Sequence, residues 1–255
     1  MGRGPRAEGL GLCSPAVEDS LLAVLETLSA RVKRLRFGGP VAYVYNPLEY
    51  AWPVVRAYVE RYGKGPKELV LLGMNPGPFG MGQTGVPFGE VAAVRDYLRL
   101  GGEVSAPKRF HEKRPVLGFD CTRSEVSGQR LWSAIAERHP DPKTFFARAF
   151  VLNYCPLLFV SETGANVTPD KLTPSERKAV EAVCDEALGA SLEALGSPRV
   201  VGIGQYAAKR AELVTGGARD VACIPHPSPA SPLANRGWAE AARKALDTAG
   251  IEGLL

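Results

Sequence analysis

Four short apolar runs, separated by longer amphipathic stretches, are the clearest pattern in the chain. They are Leu69–Leu72, Phe150–Leu152, Val200–Ile203 and Val221–Ile224. Their length and β-branched content are typical of strands that are buried on both faces. Segments with helical spacing separate or follow them, at about residues 90–100, 129–138, 174–195, 205–214 and 236–249. The alternation predicts an α/β fold with a central, mainly parallel four-stranded sheet.

Two amphipathic helical stretches are predicted before the first of these runs. Apolar residues recur at helical spacing from Val17 to Leu35, and Ser14-Pro15 supplies an N-cap followed by proline at the first helical position. A second stretch extends from about Leu48 to Tyr62, and Pro53 is expected to kink it or restart it. One face of the first helix should pack against the body of the protein.

Length and composition fit one domain. With 255 residues and 45% hydrophobic content, the chain can bury the core of a single large α/β domain, and we see no internal repeat or low-complexity linker. Residues 1–13 are rich in glycine, so we expect a flexible N-terminus followed by one domain over residues 14–255. The net charge of +4 permits a polyanionic partner without requiring one. We expect a monomer.

The cysteines and the apolar segments indicate the cellular setting. The five cysteines, at positions 13, 121, 155, 184 and 223, form no Cys-x-x-Cys pair, which argues against a zinc site, an iron–sulfur cluster or a disulfide framework. The sequence shows neither a secretion signal nor an apolar run that approaches a membrane span. We therefore expect no metal, no cofactor, no membrane partner and a cytoplasmic location, or a nuclear one in a eukaryote.

Two rigid loops at strand ends predict the functional site. Gly73–Met81 follows the first apolar run and places Asn75 among glycines and prolines, whereas Pro225–Pro229 follows the last run and carries His226. Asn153 stands at the end of the second run. Because ligands bind beyond the carboxyl ends of parallel strands, these side chains are expected to share one site.

Motifs of several common enzyme classes are absent from the sequence. It has no P-loop, no Gly-x-Ser-x-Gly elbow and no His-Glu-x-x-His motif, and it has only three histidines. What remains at the strand ends is neutral: asparagine, histidine and backbone amides. Such groups suit a reaction whose transition state needs charge placement and an oriented water, without a strong protein nucleophile.

Each candidate residue also has an ordinary structural explanation. An asparagine before proline, such as Asn75, is more often a turn former, and His226 alone would more often be structural. Phe88 and Met81 would ordinarily be packing residues, and Asn153 could cap a loop. Their occurrence together and in order favours the functional interpretation. Both interpretations stay open for Gly77, Ser228 and Arg236.

A series of motifs in one order along the chain resembles a known family. The motifs are Gly73–Met81 with Gln83–Glu90, Asn153–Leu157, His226–Pro229 with Ala234–Trp238, and also Tyr45–Trp52, Lys113–Gly118 and Ser124–Gly128. They resemble the single-strand-selective monofunctional uracil-DNA glycosylases, within the uracil-DNA glycosylase superfamily. The resemblance runs from about residue 40 to the C-terminal helix. It implies a three-layer α/β/α fold around the predicted sheet.

The resemblance also implies an activity: hydrolysis of the N-glycosidic bond of uracil and 5-substituted uracils, such as 5-hydroxymethyluracil, in single- or double-stranded DNA during base excision repair. Asn75 would position the attacking water, and a neutral His226 would donate a hydrogen bond to the uracil O2. Asn153 would pair with the Watson–Crick edge of the flipped base. Phe88 would stack on that base, and the Met74 amide would support its carbonyls.

Two further features follow from the resemblance. Gly77 would leave room beside C5 of the base, with Met81 as the wall. In the loop that the family inserts into DNA, Ala230-Ser231 stands where the vertebrate-type pattern has an Arg-Asn pair, so the wedge lacks a long cation and single strands or weak pairs should be preferred. The remaining candidate DNA contacts in this loop are Ser228, Pro229 and Arg236.

Other functions stay open at the level of the sequence. A deaminated-purine glycosylase acting on xanthine or hypoxanthine, or a mismatch-directed glycosylase, is the nearest alternative within the superfamily. A non-catalytic damaged-DNA-binding protein and a nucleoside hydrolase are more distant. The pocket motifs contain no lysine that could form a Schiff base, so the predicted enzyme has no lyase step.

Overall fold

Two sheets and their flanking helices make up the fold in this computed structural model, which describes residues 16–218 and 220–255. The strands in that part of the chain are β1 (Tyr43–Tyr45), β2 (Leu69–Gly73), β3 (Ala149–Asn153), β4 (Leu158–Val160), β5 (Asn166–Val167), β6 (Arg199–Ile203) and β7 (Val221–Ile224). The helices there are α1 (Val17–Val32), α2 (Pro47–Tyr50), α3 (Trp52–Tyr62), α4 (Met81–Thr84), α5 (Val126–Arg138), α6 (Pro142–Phe146), α7 (Pro174–Ala194), α8 (Gln205–Thr215), α9 (Pro232–Asn235) and α10 (Trp238–Thr248).

The central sheet has the strand order β3-β2-β6-β7, and each neighbouring pair is parallel. β2 is buried along its whole length, and β3 and β6 are buried at all but one terminal residue. Helices flank this sheet, so its strands can be apolar throughout. The prediction of four parallel strands is confirmed, and each observed strand lies within a residue or two of its predicted limits.

The second sheet was missed by the sequence interpretation. β4 pairs antiparallel with both β1 and β5, giving the order β1-β4-β5. These strands have only two or three residues, too few to show an alternating pattern. The sheet lies beside the candidate site because β4 begins five residues after Asn153, where β3 ends.

The helices differ from their predicted limits where local residues override the periodic pattern. α1 ends at Val32, so Leu35 lies beyond it, and Ser14-Pro15 and the expected flexible residues 1–13 lie outside the described part of the chain. The predicted 48–62 stretch is two helices separated at Ala51, because Pro53 lies in the first turn of α3. The predicted helix at 90–100 is largely a π-helical turn over Ala93–Tyr97.

Among the described residues, no helix combines the length and the apolar character that crossing a membrane would require.

The close packing of α8 on β6 gives a test of the fold. A methyl group added at Gly202 would overlap the backbone nitrogen of Ala208, whereas one added at Gly101 would meet no atom within 4 Å. We expect Gly202→Ala to lower the free energy of unfolding by about 1–3 kcal/mol through overpacking, and Gly101→Ala to leave it nearly unchanged. Urea unfolding of both variants measures this. Equal stability of the two would contradict the described packing.

Candidate active site

The carboxyl ends of the central strands bring the predicted residues to one edge of the sheet. Gly73, the last residue of β2, pairs with Asn153, the last residue of β3. Asn75 lies two residues after Gly73. His226 follows β7 by two residues. Because β6 lies between β2 and β7, the two catalytic candidates leave strands about 10 Å apart, a separation that can hold a pyrimidine ring.

The Asn75 side chain is fixed through its nitrogen. Nδ2 donates to the carbonyl of Leu157 at 3.3 Å and lies 3.5 Å from the carbonyl of Pro76. The stretch that carries Leu157 is held in turn, because the amide of Cys155 donates to the carbonyl of Met74 at 2.9 Å. With Nδ2 held on main-chain carbonyls, Oδ1 is the atom that Asn75 can present to a water molecule.

Asn153 and Phe88 meet across Gly73. A methyl group at Gly73 would overlap Asn153 Oδ1 and would lie 2.6 Å from Cε2 of Phe88, so only glycine permits this approach. Nδ2 of Asn153 faces Met81 Sδ at 3.1 Å, and Oδ1 is buried without a hydrogen-bond partner. An unpaired buried acceptor is costly, and such groups are commonly satisfied by a ligand or by water.

The Phe88 ring is held by a strained backbone. Its φ of +54° lies in the left-handed region that bulky residues avoid. Its carbonyl accepts hydrogen bonds from the Trp132 indole at 3.0 Å and from the Glu90 amide at 2.7 Å. The ring is almost fully buried, and its centroid lies 6.0 Å from that of His226. Strain of this kind is typical of functional sites.

His226 is arranged as a neutral hydrogen-bond donor. The amide of Ser228 donates to Nδ1 at 3.1 Å, so in the neutral ring the proton lies on Nε2. Burial lowers the pKa of His226, because the charged imidazolium would be poorly solvated. Gly204 has a φ of +92°, and a methyl group there would lie 3.3 Å from Cβ of His226, so the β6–α8 turn packs closely against the histidine.

Three residues that the sequence interpretation did not select brace the loop around His226. Arg130 of α5 donates to the carbonyl of Pro227 at 3.0 Å and to Oδ1 of Asn235 at 2.9 Å. The Trp238 indole donates to the carbonyl of Pro225 at 2.7 Å. Asn235 and Trp238 belong to the motif Ala234–Trp238, but the motif alone indicated no role for them.

The candidate DNA contacts follow His226 along the same loop. The Ser228 hydroxyl accepts from the Ala230 amide at 3.2 Å, and the Ser231 hydroxyl accepts from the Ala234 amide at 3.4 Å. Pro229, Ala230 and Arg236 are exposed. The two serines therefore shape the loop, and their contact with DNA stays a prediction.

The space beside Gly77 is occupied, which the sequence interpretation did not foresee. The carboxyl group of Glu125 lies where a side chain at position 77 would begin. Burial raises the pKa of Glu125 to about 7, the nearby amides of Phe79 and Gly80 lower it, and the charge of Glu90 raises it further. The motif Ser124–Gly128 contains this residue but did not identify it as part of the site.

The donor set of the site is neutral apart from Glu125. Within residues 16–218 and 220–255, no cluster of three or more histidine, cysteine, aspartate or glutamate side chains could hold a metal ion. The structure brings Asn153, Phe88, Met81 and His226 together through direct or near contacts. Asn75, Met74 and Gly77 lie on the adjoining loop. These residues therefore offer an aromatic face, an amide edge and a second amide oxygen to a ligand.

Several known proteins are similar to this chain in sequence. Residues 60–247 match the model of the Uracil DNA glycosylase superfamily. Proteins named single-strand selective monofunctional uracil-DNA glycosylase, from Rattus norvegicus and Mus musculus, are each 46% identical over 246 residues, which cover 95% of this chain and 88% of each relative. The protein of that name from Bos taurus is 47% identical over 231 residues, 89% of this chain and 85% of its own.

A solved structure shows the same fold at a greater distance. The crystal structure of the wild-type SMUG2 protein of Pedobacter heparinus has a TM-score of 0.65 and 18% identity, and the match covers 92% of this chain and 97% of that chain. The family model spans more than half of this chain, and the mammalian relatives match nearly all of it. The chain therefore belongs to the uracil-DNA glycosylase superfamily.

Proposed function

We propose that this protein hydrolyses the N-glycosidic bond of uracil and of 5-substituted uracils in DNA, as a step of base excision repair. The buried and unpaired Oδ1 of Asn153 carries this proposal. It lies beside Phe88 in a site whose other polar groups, apart from Glu125, are neutral, and the mammalian relatives bear the name of this activity.

Recognition of uracil follows from the two ends of the Asn153 amide. Oδ1 would accept the N3–H of the base, and Nδ2, now facing only the weak acceptor Met81 Sδ, would donate to O4. Cytosine presents an acceptor at N3 and a donor at N4, so it would meet like groups at both positions. Phe88 would stack on the face of the ring.

Bond cleavage leaves negative charge on the departing base, chiefly on its carbonyl oxygens. Nε2 of His226 would donate a hydrogen bond to O2 as that charge develops. The neutral ring carries its proton on Nε2 and can donate this hydrogen bond, and the lowered pKa of His226 favours the neutral form. Oδ1 of Asn75 would hold the water that attacks the sugar carbon from the opposite side. The electrons of the broken bond stay on the base. The water oxygen forms the new bond to the sugar and releases one proton to solvent, and the departing base anion takes up one proton, so the products are the abasic sugar and neutral uracil.

The substrate is a flipped nucleotide in single- or double-stranded DNA. Extrusion costs least from single strands or weak pairs, and Ala230-Ser231 provides no long side chain to fill the gap in a duplex. We therefore propose that single strands are preferred. The named site residues include no lysine, so the abasic product should remain uncut. We further propose that the protein acts as a monomer, without a metal or cofactor, in the cytoplasm, or in the nucleus if the source is eukaryotic.

Removal of the water-holding amide should abolish most turnover. We expect Asn75→Ala to reduce excision from a uracil-containing single-stranded oligonucleotide by about 100-fold or more, the size of loss expected when a reacting water is no longer held in position. Single-turnover cleavage, detected after alkali, measures it, and the same strand annealed to its complement measures the strand preference. Asn166→Ala, at an exposed position, is the matched control. An inactive wild-type protein, or an Asn75→Ala variant as active as the control, would overturn the proposal.

A change at Asn153 should alter base selection. Asn153→Asp replaces the Nδ2 donor by an acceptor that matches the cytosine N4 amino group. We expect uracil excision to fall by about 10-fold or more, and the ratio of uracil to cytosine excision to fall with it, since each bidentate pair contributes roughly 1–3 kcal/mol of discrimination. Competition between two oligonucleotides that differ only in carrying uracil or cytosine at one position measures the ratio. An unchanged ratio would exclude Asn153 as the reader of the base edge.

The partly buried imidazole of His226 should affect how the stability of the protein depends on pH. Because the folded-state pKa of His226 is lowered, the unfolded chain binds a proton below pH 6.5 that the folded chain resists, so falling pH destabilises the native state through this residue. His226→Asn removes that titration. We expect the free energy of unfolding of the wild type, relative to His226→Asn, to decrease between pH 7.5 and 5.5 in urea titrations. A constant difference would show that His226 is not held neutral.

A further inference from the structure

Helix α5 reaches the candidate site at three places. The Glu125 carboxyl at its N-terminus lies against Gly77 and Gly80, Trp132 binds the Phe88 carbonyl, and Arg130 binds the Pro227 carbonyl. The last two contacts hold groups whose roles are already assigned. The Glu125 contact has no assigned role, although it places a carboxyl group inside a loop of the site.

The carboxyl of Glu125 fills the space inside the turn Gly77–Gly80, here called the 77–80 turn. A methyl group at Gly77 would overlap both carboxyl oxygens, and one at Gly80 would lie 2.6 Å from Oε1. Glycine at both positions is therefore required by Glu125, whatever the size of the base. The space beside Gly77, which was expected to admit a substituent at C5 of the base, is therefore occupied by the Glu125 carboxyl.

Burial makes this carboxyl unusual. The residue is partly exposed, but Oε2 is buried without a hydrogen-bond partner, and the side chain makes no capping hydrogen bond to its own helix although Glu125 is the N-cap residue. The charge of Glu90 raises the pKa of Glu125, and the guanidinium groups of Arg114 and Arg123 lie over the Phe79 ring at 5.2 and 3.8 Å. A desolvated carboxyl without a cationic partner is expensive, which favours a functional reason for its presence.

The 77–80 turn is coupled to the wall of the pocket. The Gly82 amide donates to the Gly77 carbonyl at 2.9 Å, and the Gln83 amide donates to the Gly80 carbonyl at 2.8 Å, so the turn fixes the start of α4. Met81, the first residue of α4, faces Nδ2 of Asn153. If Nδ2 binds O4 of the base, the next ring atom, C5, points toward Met81 and the 77–80 turn.

We propose that Glu125 is a positioning residue that sets how the pocket accepts a substituent at C5. It acts by filling the 77–80 turn and so fixing Met81 against Asn153. This inference rests on the proposed function, since it concerns the 5-substituted uracils that the site would admit. It also predicts that a side chain at position 77 impairs the enzyme by displacing Glu125, before it touches the base.

A double-mutant cycle tests the steric part. Gly77→Ala should lower kcat/KM on uracil by about 10-fold or more, and Glu125→Ala should recover a large part of that loss, because it removes the colliding carboxyl. Glu125→Gln keeps the size of the side chain and should not rescue Gly77→Ala. Gly101→Ala controls for a remote glycine. Independent effects of the two sites, in both kcat/KM and thermal midpoint, would overturn the proposal.

A substrate comparison tests the effect on C5. In the wild type, the ratio of single-turnover rates on 5-hydroxymethyluracil and uracil should change as pH passes through about 7, where Glu125 ionises. In Glu125→Gln the ratio should be shifted by several-fold and should no longer depend on pH. A merely structural role would lower both rates equally and leave the ratio unchanged, which would refute the proposal.

The two proposals can fail separately. If the wild-type protein excises no uracil, the proposed function fails, and the coupling of positions 77 and 125 can still be measured in thermal midpoints. If uracil is excised but the cycle is additive or the substrate ratio is indifferent to Glu125, only the positioning role fails.

Discussion

Parallel pairing of β2 with β3 and β6 is the constraint on which the site depends. Together with the parallel β6–β7 pair, it brings the carboxyl ends of the central strands to one edge, and its register sets Gly73 opposite Asn153. That single pairing decides where a base could bind, because Gly73 has no side chain to keep Asn153 and Phe88 apart. A shift of one residue would turn the Asn153 amide to the other face of the sheet.

Helix α5 connects parts of the site that are far apart in the sequence. Its N-terminal carboxyl lies in the 77–80 turn, its middle binds the Phe88 carbonyl, and Arg130 holds the loop that carries His226. These contacts place the pocket wall, the aromatic face and the histidine loop on one rigid element. Sites built on helices and strands keep their geometry better than sites built on loops alone.

The sequence was sufficient for the parts of the fold that rest on local pattern. The central strands could be predicted because four buried runs of three or four apolar residues alternate with helical segments, and the loops of Asn75 and His226 could be predicted because glycine and proline restrict the backbone. β1 and β4 could not, since three residues carry no period.

The unpredicted parts of the site depend on tertiary contacts. Glu125 precedes a helix in a polar stretch, where a carboxylate usually faces water. Only the tertiary structure places its carboxyl group inside the 77–80 turn. Arg130 is separated from Pro227 by 97 residues, so no local signal joins them. The left-handed backbone of Phe88 is hidden in the same way, because an aromatic residue gives no hint of a positive φ.

That backbone has a consequence for how a nucleotide would be received. A left-handed phenylalanine costs on the order of 1–3 kcal/mol, and here the Trp132 and Glu90 donors on its carbonyl offset the strain. The ring is thus held in place before a base binds, so stacking on it costs little additional side-chain entropy. The strained Phe88 backbone lowers the stability of the folded protein slightly, and in return the stacking surface is preorganised for the base.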